Sequence, residues 1–162
     1  MILIGLGANL PSTSGPPRAT CEAALGRMEA EGLRILARSA WYESAPVPIS
    51  DQPGFTNGVA HVASALPPVD LLRLLHKIEA TFGRVRGRKN AARSLDLDLL
   101  AYGDLASTDP RSHLPHPRLH ERAFVLWPLR EIAPEWRHPV SGLTVQQLID
   151  RLPPGEIARR LP

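Results

Sequence analysis

The chain has 162 residues, of which 43% are hydrophobic and 22% are charged, so its composition excludes an intrinsically disordered protein and predicts one domain spanning 1–162. No apolar run approaches the roughly 20 residues of a membrane-spanning helix, the N-terminus has no features of a secretory signal, and a single cysteine excludes an internal disulfide, so we expect a cytoplasmic protein. The formal net charge is +3 and all but two of the 19 basic residues are arginine, a bias that suits phosphate binding but that a GC-rich genome would also produce.

Apolar periodicity, glycines and prolines divide the chain into predicted strands and helices. In chain order these are a strand over 1–7, a helix over 18–31, strands over 33–43 and 55–65, a helix over 68–82, a strand over 95–102, a helix over 120–132 and a short helix over 144–151. Gly32 and Gly83 suit the ends of the first two helices. Pro128 is expected to break or kink the helix over 120–132.

The first six elements follow the order β-α-β-β-α-β, which is the ferredoxin-like arrangement. We therefore expect an α+β fold in which helices pack on one face of a mainly antiparallel sheet, with extra elements at the C-terminal end.

Two aspartates in the last predicted core strand are the first candidate site. Asp96 and Asp98 are two residues apart, so they point to one face of the strand, and their Cα atoms lie roughly 6.6 Å apart. Paired carboxylates suit Mg²⁺, which completes its shell with phosphate oxygens and water. A solvated acidic strand face would show the same pattern, although aspartate is disfavoured in strands.

A basic loop precedes the aspartates, with its charges on Arg84, Arg86, Arg88, Lys89 and Arg93. Beside a metal-binding pair these side chains would clamp a polyphosphate through bidentate hydrogen bonds. The alternative is a solvated loop or a nucleic-acid patch, which the lack of aromatic residues over 83–101 disfavours.

Two further segments have candidate binding residues. His116 lies between prolines and is followed by Arg122 and Phe124, although a histidine in such a place is commonly an ordinary surface residue. Phe55 and Asn57 share a face at the start of a predicted strand, where they can stack on and hydrogen-bond a flat heterocycle. A core position for Phe55 and a turn position for Asn57 are the alternative.

With these candidate segments in this order and spacing, the chain resembles the 6-hydroxymethyl-7,8-dihydropterin pyrophosphokinases of folate biosynthesis over essentially its whole length. The motifs that match are Gly7-Ala-Asn9-Leu10, Tyr42-Glu-Ser44, Asp51-Gln-Pro53-Gly-Phe55-Thr-Asn57, Glu79-x4-Arg84-x-Arg86, Arg93-Ser-Leu-Asp96-Leu-Asp98, Pro115-His116-Pro117 and Arg122-Ala-Phe124. The resemblance implies a ferredoxin-like core and transfer of the β,γ-diphosphate of ATP to the hydroxymethyl group of the pterin, with release of AMP.

The resemblance also implies a role for each matching residue. Asp96 and Asp98 would hold two Mg²⁺ ions, and with Arg84 and Arg93 they would form the catalytic set. The ATP side would comprise His76, Glu79, Arg84, Arg86, Arg93, Arg111, His113, His116 and Arg122. The pterin side would comprise Ser44, Ala45, Val47, Phe55, Asn57 and Phe124.

Several positions depart from the family pattern. Asn90 stands in a loop where many members have Trp, and this loop is one residue shorter than usual. His76 replaces the usual Gln, Ser44-Ala45 replaces Thr-Pro, and Phe55 replaces Tyr. We therefore expect residues 84–94 to be the most mobile part of the unliganded protein, and to be ordered by charge contacts with ATP and Mg²⁺ rather than by stacking.

Two alternatives to the enzyme are a nucleic-acid-binding domain of this fold and a small-molecule sensor without chemistry. The first is supported by the pI near 9.6 and opposed by the aspartate pair, which would repel phosphate without a metal. A sensor has no need of paired carboxylates beside an arginine loop. We expect a monomer that binds small molecules and has no nucleic-acid or membrane partner.

Overall fold

The computed structural model describes residues 1–44, 54–83 and 94–162, which form a single sheet covered by helices. Its elements are β1 (Ile2–Ala8), α1 (Pro17–Ala30), β2 (Arg34–Arg38), β3 (Tyr42–Ser44), β4 (Phe55–Ala63), α2 (Pro68–Thr81), β5 (Asp96–Tyr102), a 3₁₀ helix (Leu119–Glu121), α3 (Ala123–Ile132), α4 (Val145–Asp150) and β6 (Arg159–Arg160). The order across the sheet is β5-β1-β4-β3-β6, and β2 also pairs with β4. All of these pairings are antiparallel, so the predicted α+β, ferredoxin-like arrangement is confirmed.

Each face of the sheet buries its own apolar cluster. Ile4 and Leu97 contribute to the cluster that α1 and α2 cover, whereas Leu3 and Leu100 contribute to the cluster beneath α3 and α4. The expectation that helices lie on one face was therefore wrong. Because these strands present apolar side chains on both faces, a second helical layer is needed to exclude water from the other face.

The strand predicted over 33–43 is divided into β2 and β3. The register of β2 against β4 shifts between Ile35 and Ala37. Ser39 then accepts the Val59 N–H with its side-chain oxygen at 3.0 Å, and the Trp41 ring lies over Gly58, where an added Cβ would be 2.5 Å from it. A serine side chain thus replaces one rung of the backbone ladder, and the strand is interrupted there.

The C-terminal elements differ from the prediction in two ways. Helix α3 continues through Pro128 to Ile132, so this proline does not end the helix. Having no N–H, Pro128 cannot make the usual hydrogen bond to the Phe124 carbonyl. The two-residue strand β6 pairs with β3 and was not predicted. None of the helices in the described ranges is long and apolar enough to cross a membrane.

Helix ends follow the local sequence closely. Gly32 and Gly83 adopt φ angles of 96° and 86° directly after α1 and α2, a conformation that glycine adopts without strain. Thr144 caps α4 by accepting the Gln147 N–H at 3.1 Å, and the Gln147 side chain accepts the Thr144 N–H at 2.9 Å. This reciprocal pair is a capping box.

Candidate active site

The two aspartates of β5 lie on the sheet face that α3 covers. Both are half-buried, and they alternate with leucines that are buried on the opposite face against α1 and α2. Strand geometry therefore aims both carboxylates to the same side, as predicted.

Glu79 ties α2 to the strand that presents these aspartates. Its side chain is buried, with the residue only 1% exposed, and its Oε2 accepts the Leu97 N–H at 2.8 Å. Leu97 stands between Asp96 and Asp98. Glu79, which was predicted on the ATP side, therefore also fixes the backbone of β5 between the two aspartates.

One row of paired residues runs across the sheet from the aspartates to the predicted pterin side. Asp96 pairs with Gly7, and Gly7 pairs with Asn57. Directly paired residues point to the same face, and the Cα atoms of Asn57 and Asp96 are about 10 Å apart, two strand spacings. Between them Gly7 contributes no side chain, and a Cβ added there would lie 3.0 Å from the Asn57 Oδ1, so the carboxamide uses the space above the glycine.

Arg122 and Phe124, at the start of α3, approach this row from above. The Arg122 Nη1 lies 4.0 Å from the Asp98 Oδ2, and its guanidinium carbon lies 5.3 Å from the centre of the Phe124 ring. The start of α3 therefore brings a positive charge and an aromatic ring, predicted for different substrates, to the same place.

His116 joins the same cluster. Its backbone N–H donates to the Leu100 carbonyl at 2.9 Å, which fixes the segment against β5. The pKa of His116 is lowered to about 4, mainly by burial and then by the positive charge of Arg122, while the charge of Asp96 acts in the opposite direction. The imidazole is half-buried rather than on the open surface and is neutral at pH 7.

The pterin-side residues that the structure describes lie at the end of β3 and the start of β4. The Asn57 Nδ2 donates to the Ser44 Oγ at 2.7 Å, and both residues are buried. Phe55 is half-buried on the same face of β4 as Asn57. The alternative that Asn57 occupies a turn is wrong, because it lies within a strand.

The remaining candidates are less closely joined to this cluster, or lie outside the described ranges. His76 is half-buried on α2, one turn before Glu79. Arg111 is exposed and bonds Asp109, with its Nη2 2.9 Å from the Asp109 Oδ2. His113 is exposed, and its charge contributes to the low pKa of His116. The candidates that fall outside the described residues are Ala45, Val47, Arg84, Arg86 and Arg93, together with the expected mobility of 84–94.

Two glutamates for which no role was predicted join α3 to its neighbours. Glu131 of α3 accepts the Tyr42 hydroxyl at 2.9 Å and the Ala40 N–H at 2.8 Å. Glu156 accepts the Ala123 N–H at 3.0 Å. All three contacts join residues more than 30 positions apart in the sequence, so local spacing does not indicate them.

The donor set at the aspartates fits Mg²⁺. Two half-buried carboxylates on one strand face provide hard oxygen ligands, and Mg²⁺ commonly binds one or two carboxylates and takes its other ligands from phosphate and water. Within 1–44, 54–83 and 94–162, no group of three or more His, Cys, Asp or Glu side chains could hold a metal ion.

Comparisons with known proteins agree with the fold. The solved structure of wild-type Plasmodium falciparum HPPK-DHPS matches 92% of this chain with a TM-score of 0.68 and 16% sequence identity, and the chain spans 40% of its length. At that identity the likeness shows the fold alone.

Two relatives found by sequence share a higher identity with this chain than that structure does. A protein of Pseudomonas aeruginosa named 2-amino-4-hydroxy-6-hydroxymethyldihydropteridine pyrophosphokinase is 40% identical over 162 residues, covering 99% of this chain and 96% of the relative. A Synechocystis protein of the same name is 39% identical over 151 residues, covering 93% of this chain and 75% of the relative.

The sequence profile described as 7,8-dihydro-6-hydroxymethylpterin-pyrophosphokinase (HPPK) matches residues 3–134. This range contains β1 to α3 and hence the described candidate residues. The resemblance noted in the sequence is confirmed: the chain belongs to the 7,8-dihydro-6-hydroxymethylpterin-pyrophosphokinase family.

Proposed function

We propose that this chain transfers diphosphate from ATP to the hydroxymethyl group of 6-hydroxymethyl-7,8-dihydropterin in folate synthesis. The pterin hydroxyl oxygen forms a bond to the β-phosphorus, and its proton is released to solvent. The bond between the β-phosphorus and the oxygen bridging it to the α-phosphorus breaks, and AMP leaves with that oxygen. Family membership and the aspartate pair disfavour the nucleic-acid-binding and sensor alternatives.

The row Asn57–Gly7–Asp96 is the observation that best supports this reaction. The residue whose carboxamide can recognise a heterocycle has its Cα about 10 Å from the Cα of a residue whose carboxylate suits a metal–triphosphate. A bicyclic pterin with its hydroxymethyl arm spans a similar length, so a ring bound at Asn57 would bring its hydroxyl to the carboxylate side of the row. The protein thereby contributes alignment of the attacking oxygen and the phosphorus, which is the main requirement of phosphoryl transfer.

On the pterin side, we assign recognition to Ser44, Asn57 and two aromatic rings. The Ser44 hydroxyl oxygen accepts a hydrogen bond from the Asn57 Nδ2 and so orients the carboxamide. The Asn57 Oδ1 can then accept a hydrogen bond from an N–H group of the pterin ring. Phe55 and Phe124 would lie against the faces of the ring. Ala45 and Val47 complete the proposed set.

On the ATP side, Arg122 and His116 face the carboxylates, and Arg122 contributes a permanent positive charge for the phosphates. His76, Arg111 and His113 are proposed as outer ATP contacts, and Glu79 as the support of β5. Arg84, Arg86 and Arg93 are proposed to hold the phosphates, with Arg84 and Arg93 catalytic. Bound to Asp96 and Asp98, two Mg²⁺ ions would neutralise the triphosphate and polarise the attacking hydroxyl.

Two variants test the metal assignment. Asp98→Asn keeps the shape of the side chain but removes the charge, so we expect turnover to fall by about 100-fold or more, because several kcal/mol of charge stabilisation are lost. Asp104→Asn is the matched control, since Asp104 is exposed in the turn after β5, and it should keep turnover within about twofold. The measurement is AMP formed from ATP, Mg²⁺ and the dihydropterin, with circular dichroism to confirm folding.

Near-normal turnover of folded Asp98→Asn would contradict the metal assignment alone. A wild-type protein that forms no AMP, but binds nucleic acid with a steep dependence on salt, would contradict the proposed reaction itself. We also propose that the chain acts in the cytoplasm as a monomeric, single-domain enzyme, with neither nucleic acid nor membrane as a partner. Sedimentation of the purified protein tests the monomer.

A further inference from the structure

The first turn of α3 bears two residues of the proposed site but has no cap of its own. Arg122 occupies the N-cap position, and its side chain makes no capping hydrogen bond. The first turn also contains no acidic residue. The first N–H groups of a helix have no hydrogen-bond acceptor within the helix. The position of Arg122 and Phe124 therefore depends on an acceptor from elsewhere in the chain that binds these N–H groups.

Glu156 supplies that partner from the C-terminal end of the chain. Its Oε1 accepts the Ala123 N–H at 3.0 Å in a half-buried contact, and Ala123 is the residue between Arg122 and Phe124. A carboxylate at this point also meets the positive end of the helix dipole.

The residues after Glu156 are attached to the opposite wall of the site. Arg159 and Arg160 form β6 and pair with Glu43 and Tyr42 of β3. The Arg159 Nη2 donates to the Glu43 Oε2 at 2.7 Å. One residue further on, the Leu161 N–H donates to the Trp41 carbonyl at 2.8 Å.

Residues 156–161, here called the C-terminal strap, therefore connect the two walls of the pterin side. One end of the strap holds the start of α3, with Arg122 and Phe124. The other end holds β3, whose last residue, Ser44, bonds Asn57. The strap lies beyond the segment that matches the family profile, which ends at residue 134.

We propose that Glu156 is a positioning residue for the reaction, acting through the start of α3 to hold Arg122 and Phe124 against the bound substrates. This proposal rests on the proposed function. It predicts that Glu156 affects catalysis without touching either substrate, and that its effect depends on the side chains it positions.

The experiment compares two substitutions at one position. Glu156→Ala removes the acceptor, and we expect kcat/KM for the pterin to fall about tenfold, the size expected for losing a hydrogen bond to a charged group. Glu156→Gln keeps an oxygen that can accept the Ala123 N–H, and it should restore kcat/KM to within about threefold of the wild type. Glu135→Ala is the control, because Glu135 is exposed after α3, and it should have no effect.

A double-mutant cycle separates positioning from general destabilisation. In a Phe124→Ala background, Glu156→Ala should cost less than in the wild type, because one of the two side chains that it positions is gone. Each variant is assayed well below its melting temperature. If Glu156→Ala does not fold, Glu156→Asp replaces it, since the shorter side chain keeps the charge but does not reach the Ala123 N–H.

Wild-type kinetics for the Ala or Asp variant, failure of Gln to restore activity, or the full loss in the Phe124→Ala background would each overturn the proposal. A wild-type protein that forms no AMP would contradict the proposed function instead, so the two failures are distinguishable.

Discussion

At the scale of single residues, the two glycines of β1 show how the site depends on the absence of side chains. Gly5 and Gly7 both lie on the face that α3 covers, and glycine weakens a strand because its backbone loses more freedom on folding. A Cβ added at Gly7 would lie 3.0 Å from the Asn57 Oδ1, whereas one added at Gly5 would meet Leu100 at ordinary contact distance, 3.4 Å or more. Only Gly7 is therefore required for the placement of a recognition group.

Gly7→Ala should displace the Asn57 carboxamide and raise the KM for the pterin about tenfold, as for the loss of a hydrogen bond. The melting temperature should change little, because the lower entropy cost of alanine in a strand offsets the disturbance of the buried Asn57–Ser44 hydrogen bond. Gly5→Ala, measured in parallel, should leave the KM for the pterin within about twofold. Equal effects of the two substitutions on KM would contradict this distinction.

His116 should make the protein sensitive to acid in the absence of substrate. Its pKa is lowered to about 4 in the folded protein and is about 6.5 when unfolded. Between these values the unfolded chain binds more protons, so stability is lost as the pH falls from about 6.5 to about 4. Allowing for partial exposure, the loss is about 2 kcal/mol.

Urea unfolding of the metal-free protein at several pH values measures this effect. His116→Gln cannot bind a proton, so its stability should fall less steeply between pH 6.5 and 4 than that of the wild type. Parallel curves for the two proteins would show that another group is responsible.

At the scale of the elements, local sequence accounts for most of what could be predicted. The core helices and strands followed from apolar periodicity, and the aspartates from strand alternation. The interruption between β2 and β3 could not be predicted, since it depends on Ser39 meeting Val59 of another strand. Strand β6 has two residues and no pattern of its own, and Glu156 and Glu131 act across the fold. These features arise from tertiary contacts, which a single sequence does not show.

The capping box of α4 permits a quantitative check at this scale. Thr144→Ala removes the acceptor for the Gln147 N–H, so we expect a loss of about 1 kcal/mol. In a domain of this size that corresponds to a fall in melting temperature of roughly 2–4 °C. Turnover at 25 °C should be unchanged, because α4 bears none of the proposed site residues. Scanning calorimetry and the AMP assay together measure both outcomes.

At the scale of the whole molecule, the two helical layers have different tasks. Helices α1 and α2 bury one face of the sheet and, through Glu79, support β5 from behind. Helix α3 covers part of the other face and leaves the rest to the proposed substrates. The site thus lies between a fixed sheet and the start of one helix, and the C-terminal strap joins that helix to the sheet.

The contact between Glu79 and Leu97 has a consequence for solubility. Strand β5 is at one end of the sheet order, and an exposed end strand can recruit a strand from another molecule. The Glu79 carboxylate accepts the Leu97 N–H, and the His116 N–H donates to the Leu100 carbonyl. These backbone groups of β5 therefore already have partners within the chain and are not available to a strand from another molecule.

Glu79→Ala should therefore self-associate as its concentration rises, whereas Glu79→Gln, which keeps an acceptor, should do so much less. Light scattering on the two variants measures the difference, and equal scattering would contradict it. A glutamate that supports a catalytic strand would then also prevent the chain from aggregating.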